Sequence, residues 1–292
     1  MNGTMNEGVQ KLVRVGHSPD ADDAFMFYAL AKGCIETQGY QFQHQLADIE
    51  TLNRWALEGR LELTALSVHA YAYAADRYAL CPCGASVGDG YGPIVVAPKT
   101  ADLETLRTAT IAVPGLMTTA YLALRLCLGG RFQPVVVPFD KIIQAVQEGS
   151  YGGQAVQAGL LIHEGQLTYA QEKLSLVVDL GVWWQNQTGL PLPLGVNGVR
   201  KDLGQQTMAE ITQVFQESIR YGLEHREEAL EYALGFSRGL ARSQADQFVG
   251  MYVNHWTLDL GQRGREAIEE LLTRGFKAGL IPASVRPEFA PL

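Results

Sequence analysis

The sequence predicts a two-lobed α/β fold with a ligand cleft between the lobes. Short apolar runs typical of strands are followed by runs with helical spacing. A helix, a Glu-Gly stop and a strand occur twice, at residues 50–66 and again at 140–162. Two apolar runs flanked by Gly and Pro, at 91–97 and 191–197, suit strands that carry the chain between the lobes.

Two crossings imply that one lobe is inserted into the other. We therefore predict that the first lobe contains residues 10–97 and 196–292, including helices at the C-terminal end. The second lobe contains residues 98–195. Clefts between domains are favoured places for small ligands, so the polar residues at strand ends are the first candidates for a site.

The first strand, at 12–16, ends in a polar turn before an apolar helix at 24–30. Three carboxylates, Asp20, Asp22 and Asp23, fall where they complement the positive end of that helix. Capping is the expected role of at least two of them. One of these side chains, or Ser18, is expected to face the cleft.

The next unit is a short amphipathic helix at 50–58, which Gly59 ends, and a strand at 61–66. Ser67 and His69 follow that strand. We expect the end of this strand to face the space between the lobes, where ligands collect in open α/β sheets.

A third candidate site follows the strand at 111–113, where a Pro-Gly turn leads to Thr118 and Thr119 at the start of a helix. A helix N-terminus exposes unpaired N–H groups, which together with two hydroxyls suit a carboxylate or a phosphate. Either threonine can instead only cap its own helix, and one residue can do both. The segment lacks the Gly-Lys-Ser/Thr ending of a P-loop.

The strand at 157–162 ends at His163 and Glu164. Histidine takes and gives protons near neutral pH, so this placement indicates a general base at the mouth of the cleft. A histidine that caps the strand and bonds to the backbone is an equally good interpretation of the local sequence. Adjacent strand residues point in opposite directions, which favours a surface position for Glu164.

Composition excludes several function classes. The net charge of −8 and the pI of 5.3 argue against a nucleic-acid partner. No apolar run approaches the length of a membrane span, and the polar N-terminus lacks the features of an export signal, so we expect a cytoplasmic protein. The spacing of the four cysteines suits neither a zinc finger nor a redox motif, so free thiols and no metal are expected.

Several segments together resemble the 1,4-dihydroxy-6-naphthoate synthase family of the futalosine route to menaquinone. The matching segments are the Ser18-Pro19 turn with FMFYAL, DIETLNRWALEGRLELTALS, GYGPIVVA, VPGLMTTAYLAL, AGLLIHEGQLTY, VVDLGVWWQNQTGLPLPLG and MYVNHWTLDLG. They run in order from about residue 12 to residue 261, and the IHE and TGLPLPLG segments are the most specific.

The resemblance implies a type II periplasmic-binding-protein fold and a lyase reaction without cofactor or metal. The reaction splits cyclic dehypoxanthinyl futalosine into 1,4-dihydroxy-6-naphthoate and a three-carbon fragment. His163 matches the family's base, Thr118 and Thr119 match its substrate-carboxylate site, and Ser67 is an expected contact. The substrate partner is therefore a small anionic carboxylate.

One departure from the family pattern lies at the expected cleft mouth. The family has a Cys-Pro-Asn-Asp-Thr-Phe type of loop, where this chain has Asp20-Ala21-Asp22-Asp23-Ala24-Phe25. Asp20, Asp22 and His69 are therefore candidate ligand contacts in a divergent synthase. A chorismate dehydratase-like sister enzyme and a non-catalytic binding protein for a small carboxylate are the alternatives. The sequence is compatible with a monomer or a homodimer.

Overall fold

The structure is a computed structural model that describes residues 11–237 and 239–292. Residues 1–10 lie outside the described part of the chain. They include residue 10, with which the predicted first lobe begins, and most of the segment compared with export signals.

The described strands form two large sheets and a small hairpin. The strands are β1 (Lys11–His17), β2 (Tyr40–Leu46), β3 (Leu63–Ser67), β4 (Tyr78–Leu80), β5 (Ser86–Gly88), β6 (Ile94–Ala97), β7 (Thr110–Val113), β8 (Gln133–Val136), β9 (Ser150–Tyr151), β10 (Gln154–Ala155), β11 (Ala158–Leu161), β12 (Ser175–Asp179) and β13 (Leu192–Arg200). The first sheet has the order β2-β1-β3-β13-β4, with β5 paired to β13, and the second has the order β12-β6-β11-β7-β8.

Helices cover both sheets and fill the C-terminal third of the chain. The helices are α1 (Ala21–Met26), α2 (Tyr28–Lys32), α3 (Ile49–Glu58), α4 (Val68–Ala74), α5 (Leu103–Leu106), α6 (Thr119–Leu128), α7 (Ile142–Glu148), α8 (Gly165–Thr168), α9 (Leu180–Thr188), α10 (Gln205–Glu224), α11 (Arg226–Leu234), α12 (Arg242–Tyr252), α13 (His255–Leu258) and α14 (Gly261–Lys277). Single 3₁₀ turns occupy Phe139–Lys141 and Lys201–Leu203. Among the described residues, no helix has the length and apolar composition that crossing a membrane requires.

Local sequence explains the ends of the helices that matter for the site. Asp48 begins α3 by accepting a hydrogen bond from the N–H of Thr51, and Gly59 ends it in the left-handed conformation at φ 69°. Gly149 ends α7 in the same way at φ 69°. Both predicted Glu-Gly helix stops are confirmed. The single helix predicted at 24–30 is divided at Phe27 into α1 and α2.

The chain passes between the sheets through two strands. β6 pairs antiparallel with β11 and β12 in the second sheet. β13 pairs antiparallel with β3, β4 and β5 in the first sheet. Residues 94–97, which the sequence analysis assigned to the first lobe, therefore hydrogen-bond within the second sheet. Residues 192–195, assigned to the second lobe, belong to a strand of the first sheet.

One large apolar core connects the two halves. It includes buried side chains from the first sheet, such as Leu66 and Val196, and from the second, such as Ile111 and Leu160. Trp184 of α9 is fully buried in this core and donates its indole N–H to the Pro191 carbonyl, 3.1 Å away. The core holds the carboxyl ends of β3, β7 and β11 around a common space.

Candidate active site

A cavity of about 700 Å³ lies between elements of the two sheets. This space includes the part of the cavity that is open to solvent, and clefts of this kind are favoured places for small ligands. Seven of the eight residues predicted as site residues line it: Ser18, Asp20, Asp22, Ser67, Thr118, Thr119 and His163. They come from the loops after β1, β3, β7 and β11, which is where the sequence placed them.

His163 occupies the turn between β11 and α8. Its backbone lies in the left-handed region at φ 52°, which is uncommon for a residue other than glycine. The ring packs on Phe139 with centroids 4.9 Å apart and is also near Phe248, while 17% of the side chain remains exposed. The imidazole therefore has an aromatic environment on its protein side and is accessible from the cavity.

Asp20 contacts the imidazole from the other half of the molecule. Its Oδ2 lies 3.2 Å from Nδ1 of His163, and its side chain is only 2% exposed. Asp20 is the N-cap of α1, where its Oδ1 accepts from the N–H of Asp23 at 3.4 Å. The predicted capping role is therefore present, and the same carboxylate also reaches the histidine.

The three carboxyl groups of this loop are all buried. Burial raises the pKa of Asp20 and of Asp22 well above the usual carboxyl range, and the mutual proximity of the carboxyl groups adds to the rise. The pKa of Asp23 is raised to about 8, by burial first and then by the charge of Asp22, although the N–H of Ser18 donates to Asp23 Oδ2 at 2.6 Å. Burial therefore favours the protonated form of all three carboxyl groups, and Asp23 keeps its proton at neutral pH.

Glu164 is buried, so the expected surface position is wrong. The prediction assumed strand alternation through residue 164, but β11 ends at Leu161 and His163 adopts a left-handed conformation. The turn therefore directs Glu164 inward, where its charge raises the pKa values of Asp20 and Asp22 further.

The threonine pair begins α6 at the opposite wall of the cavity. Thr118 is the N-cap: its Oγ1 accepts from the N–H of Tyr121 at 3.2 Å and donates to the carbonyl of Gly115 at 3.1 Å. Thr119 donates its hydroxyl to the carbonyl of Leu194 at 2.6 Å. Both hydroxyls thus hold the helix start in place. The N–H groups of Thr119 and Ala120 have no partner within the helix, because the first turn offers none.

Ser67 is fixed by Asn53 of α3. The Asn53 amide accepts from the N–H of Ser67 at 2.8 Å and donates to Ser67 Oγ at 3.1 Å. The hydroxyl proton of Ser67 therefore remains for a ligand. The same amide lies 3.3 Å from the carbonyl of Met117, so it also connects the end of β3 with the loop before α6.

His69 does not line the cavity, in contrast to its predicted role as a ligand contact. It lies behind the threonine pair. The backbone N–H of His69 donates to Thr119 Oγ1 at 3.3 Å, and the ring Nδ1 lies 3.3 Å from the carbonyl oxygen of Thr118. Burial lowers the pKa of His69 to about 4, so the ring is neutral at physiological pH. Its position supports the start of α6, because it belongs to α4 rather than to a loop at the cavity.

Four polar residues of the cavity were not predicted from sequence: Ser86, Gln166, Asn197 and Tyr252. Asn197 of β13 is almost fully buried, donates to the carbonyl of Gly84 at 2.8 Å, and within the described residues has no partner for its Oδ1. Tyr252 of α12 donates its hydroxyl to Gln166 of α8 at 2.8 Å. Tyr252 lies within the MYVNHWTLDLG segment, and Asn197 lies two residues after the TGLPLPLG segment. The resemblance therefore offered a signal for Asn197 and Tyr252.

The cluster of Asp20, Asp22 and His163 could also hold a metal ion. One ligand atom from each lies within 4.8 Å of the others, and carboxylate oxygen with imidazole nitrogen suits divalent transition metals. Cys81 and Cys83 are buried away from the cavity, and burial raises the pKa of both thiols, which disfavours the thiolate form that binds metal. The expectations of no metal and no cofactor stay predictions.

Comparison with known proteins identifies relatives across nearly the whole chain. The model of a family described as menaquinone biosynthesis matches residues 13–277. The chain is 43% identical over 277 residues to a protein from Thermus thermophilus named 1,4-dihydroxy-6-naphtoate synthase, covering 95% of this chain and 98% of the relative.

Solved structures give the fold. A protein from Archaeoglobus fulgidus shares 47% identity, with a TM-score of 0.86 and coverage of 92% of this chain and 98% of that one. The alkanesulfonate-binding protein SsuA from Xanthomonas axonopodis pv. citri shares 14% identity, with a TM-score of 0.66 and coverage of 94% and 96%. The predicted two-lobed fold of the type II periplasmic-binding-protein kind is confirmed.

Proposed function

Because the chain belongs to the menaquinone biosynthesis family, we propose that it is a carbon–carbon lyase acting on cyclic dehypoxanthinyl futalosine. The products are 1,4-dihydroxy-6-naphthoate and a three-carbon fragment. One observation carries the proposal at the level of chemistry: the imidazole of His163 and the start of α6 line the same cavity. A proton acceptor and a carboxylate site are the two parts this reaction requires.

The start of α6 binds the aromatic carboxylate of the substrate. The free N–H groups of Thr119 and Ala120 donate to it, and the positive end of the helix dipole favours its charge. The Ser67 hydroxyl donates to the substrate, and Asn197 Oδ1 accepts from a substrate hydroxyl, since both side chains line the cavity. These contacts orient the far end of the substrate toward His163, which lowers the entropic cost of reaching the transition state.

His163 removes the proton whose loss starts the cleavage. The ring must be neutral to do this, and it packs against Phe139 and lies near Phe248 at the edge of the cavity. Closure of the two halves over the substrate excludes water from the reacting atoms. The supporting feature is the position of the ring between two aromatic side chains and the cavity.

The partner is therefore a small anionic carboxylate rather than a nucleic acid, in keeping with the acidic net charge of −8. We place the enzyme in the cytoplasm, because its proposed substrate is an intermediate of biosynthesis. Fractionation of cells that express the full chain, with immunodetection, tests the location.

Mass spectrometry after incubation with the cyclic futalosine compound tests the activity. We expect the substrate mass to disappear and the mass of the naphthoate product to appear. Tight binding without conversion would instead identify a receptor, and dehydration of chorismate in a parallel reaction would identify the sister activity. Either of these results would contradict the proposal.

A further inference from the structure

We propose that Asn197 is the specificity-determining residue of the cavity: its amide oxygen selects aromatic carboxylates that also carry a hydroxyl group. This selection rests on the proposed function, which supplies the carboxylate-bearing substrate. Besides orienting the substrate, Asn197 thereby decides which carboxylates the cavity accepts.

Asn197 lies on an uncharged face of the first sheet. Asn197 and Gly195 of β13 pair with Ala65 and Ser67 of β3, and Gly195 also pairs with Ser86 of β5. Because side chains alternate along a strand, residues two positions apart share one face, and all five of these residues line the cavity. None of them carries a charge. This wall therefore suits a neutral group of a ligand, whereas the start of α6 suits its carboxylate.

The orientation of the Asn197 amide is decided by its partner. One end of the amide lies 2.8 Å from the carbonyl oxygen of Gly84, which can only accept, so the atom at that end is the nitrogen. Gly84 is itself fixed. Its N–H donates to the carbonyl of Thr257 at 2.6 Å, and a Cβ at Gly84 would lie 2.3 Å from the ring of Phe215. The amide therefore cannot turn over without losing its hydrogen bond.

The oxygen of the same amide is a buried acceptor without a donor. Asn197 is 1% exposed, and within residues 11–237 and 239–292 no group donates to Oδ1. A buried acceptor in this state is unfavourable, and a ligand hydroxyl removes the cost by supplying a proton. A ligand without a hydroxyl leaves Oδ1 unpaired, and a carbonyl oxygen at this position would place a second acceptor against it. The amide therefore discriminates between ligands of similar shape.

The neighbouring residue on this face leaves room for a ligand ring. Gly195 has no side chain, and apart from its chain neighbours a Cβ there would meet only Ser86 within 4 Å, at 3.7 Å from the Ser86 Cβ. The Ser86 hydroxyl is a second neutral group of this wall that can donate or accept. A hydroxylated ring that lies over Gly195 therefore brings its hydroxyl to Asn197.

Calorimetric affinities for two probes test this selection. The probes are 1,4-dihydroxy-6-naphthoate and 2-naphthoate, which is the same bicyclic carboxylate without the hydroxyls. We expect the wild-type protein to bind the dihydroxy compound about tenfold more tightly. In Asn197→Ala this ratio should fall to about twofold or less, while the Kd of 2-naphthoate stays within about threefold of the wild-type value.

Asn186→Ala is the matched control, because Asn186 is exposed in α9 and lies outside the cavity. It should keep the wild-type ratio. A merely structural role of Asn197 would weaken the binding of both probes alike, so an unchanged ratio in folded Asn197→Ala would overturn the inference. A ratio near one in the wild-type protein would overturn it as well.

A third probe makes the test independent of whether a variant folds. 1-Tetralone-6-carboxylate has a carbonyl oxygen where the dihydroxy compound has a hydroxyl, so it offers Asn197 Oδ1 an acceptor instead of a donor. We expect the wild-type protein to bind it no more tightly than 2-naphthoate. Affinity equal to that of the dihydroxy compound would contradict selection by a hydroxyl donor.

The two proposals fail in different ways. A wild-type protein that does not convert the futalosine compound contradicts the proposed function, while the probe affinities still report selection at Asn197. Conversion of that compound, together with a probe ratio that Asn197→Ala leaves unchanged, contradicts the selection and leaves the proposed function intact. Binding of none of the probes by the wild-type protein at about millimolar concentration would also overturn the inference, because the cavity would then not accept this class of carboxylate.

Discussion

At the scale of single residues, the positions of the chemistry-bearing side chains were largely predictable, but their partners were not. His163 was identified because it follows a buried apolar strand, and that strand is present as β11. Its contact with Asp20 joins residues 143 positions apart in the chain, and no local pattern encodes such a distance. The inward position of Glu164 was missed because the left-handed backbone at His163 interrupts the alternation on which the prediction depended.

The raised pKa of Asp23 makes stability depend on pH. The folded protein keeps this proton up to a pKa of about 8, whereas the unfolded chain releases it near 3.8, the usual pKa of an aspartate. Between these values the folded state binds more protons, so the free energy of unfolding falls as pH rises. Asp23→Asn removes this dependence. Relative to the wild-type protein, we expect the free energy of unfolding of the variant to rise by about 1–3 kcal/mol between pH 4 and pH 8.

Thermal unfolding by calorimetry at pH 5 and pH 8 measures this gain. The difference in Tm between Asp23→Asn and the wild-type protein should grow with pH. Asp76→Asn is the control, because Asp76 is exposed and lies outside the cavity, and its difference in Tm should be the same at both pH values. An equal difference for Asp23→Asn at both pH values would show that Asp23 is ionised in the folded state at pH 5.

At the scale of elements, the start of α6 is held in place both by its own cap and by hydrogen bonds from other helices. The threonine cap was predicted and is present. The contacts from the other half of the molecule were not predicted, because they are tertiary contacts. Glu50 of α3 accepts from the N–H of Met117 at 3.0 Å, and His69 of α4 contacts both threonines. The loop before α6 is therefore fixed against α3 and α4 of the first lobe.

Gly115→Ala tests this junction. A Cβ at Gly115 would lie 2.3 Å from Glu50 Oε2, so the Glu50 side chain must move and lose its hydrogen bond to Met117. We expect the loss of about 1 kcal/mol of stability and a fall in kcat/KM of about threefold to tenfold, mainly through KM, since the carboxylate site shifts.

Gly250→Ala is the control for that substitution. Gly250 lies exposed in α12, and a Cβ there meets only the end of the Arg226 side chain at 3.6 Å. Alanine favours a helix over glycine, so this variant should be neutral or slightly more stable. Denaturant unfolding and steady-state kinetics of both variants make the comparison. Wild-type behaviour of Gly115→Ala would contradict the role assigned to the Glu50 contact.

At the scale of the whole molecule, the two sheets bring together groups that the sequence presents separately. The repeated helix, Glu-Gly stop and strand predicted that each half directs a strand end toward a common space, and both β3 and β11 end at the cavity. The contribution of α12 through Phe248 and Tyr252 was missed, because helical periodicity shows which face is apolar but not which cavity that face closes. The order of the strands in each sheet was not predicted either, because it depends on pairing between strands that are far apart in the chain.

Turnover and binding of the same substrate by His163→Ala, measured side by side, test the central claim most directly. If the imidazole acts on the transition state from one side of the cavity while α6 holds the carboxylate on the other, product formation should be abolished. Calorimetric affinity for the cyclic futalosine compound should stay within about tenfold of the wild-type value. Product release at the wild-type rate by the alanine variant would contradict the account.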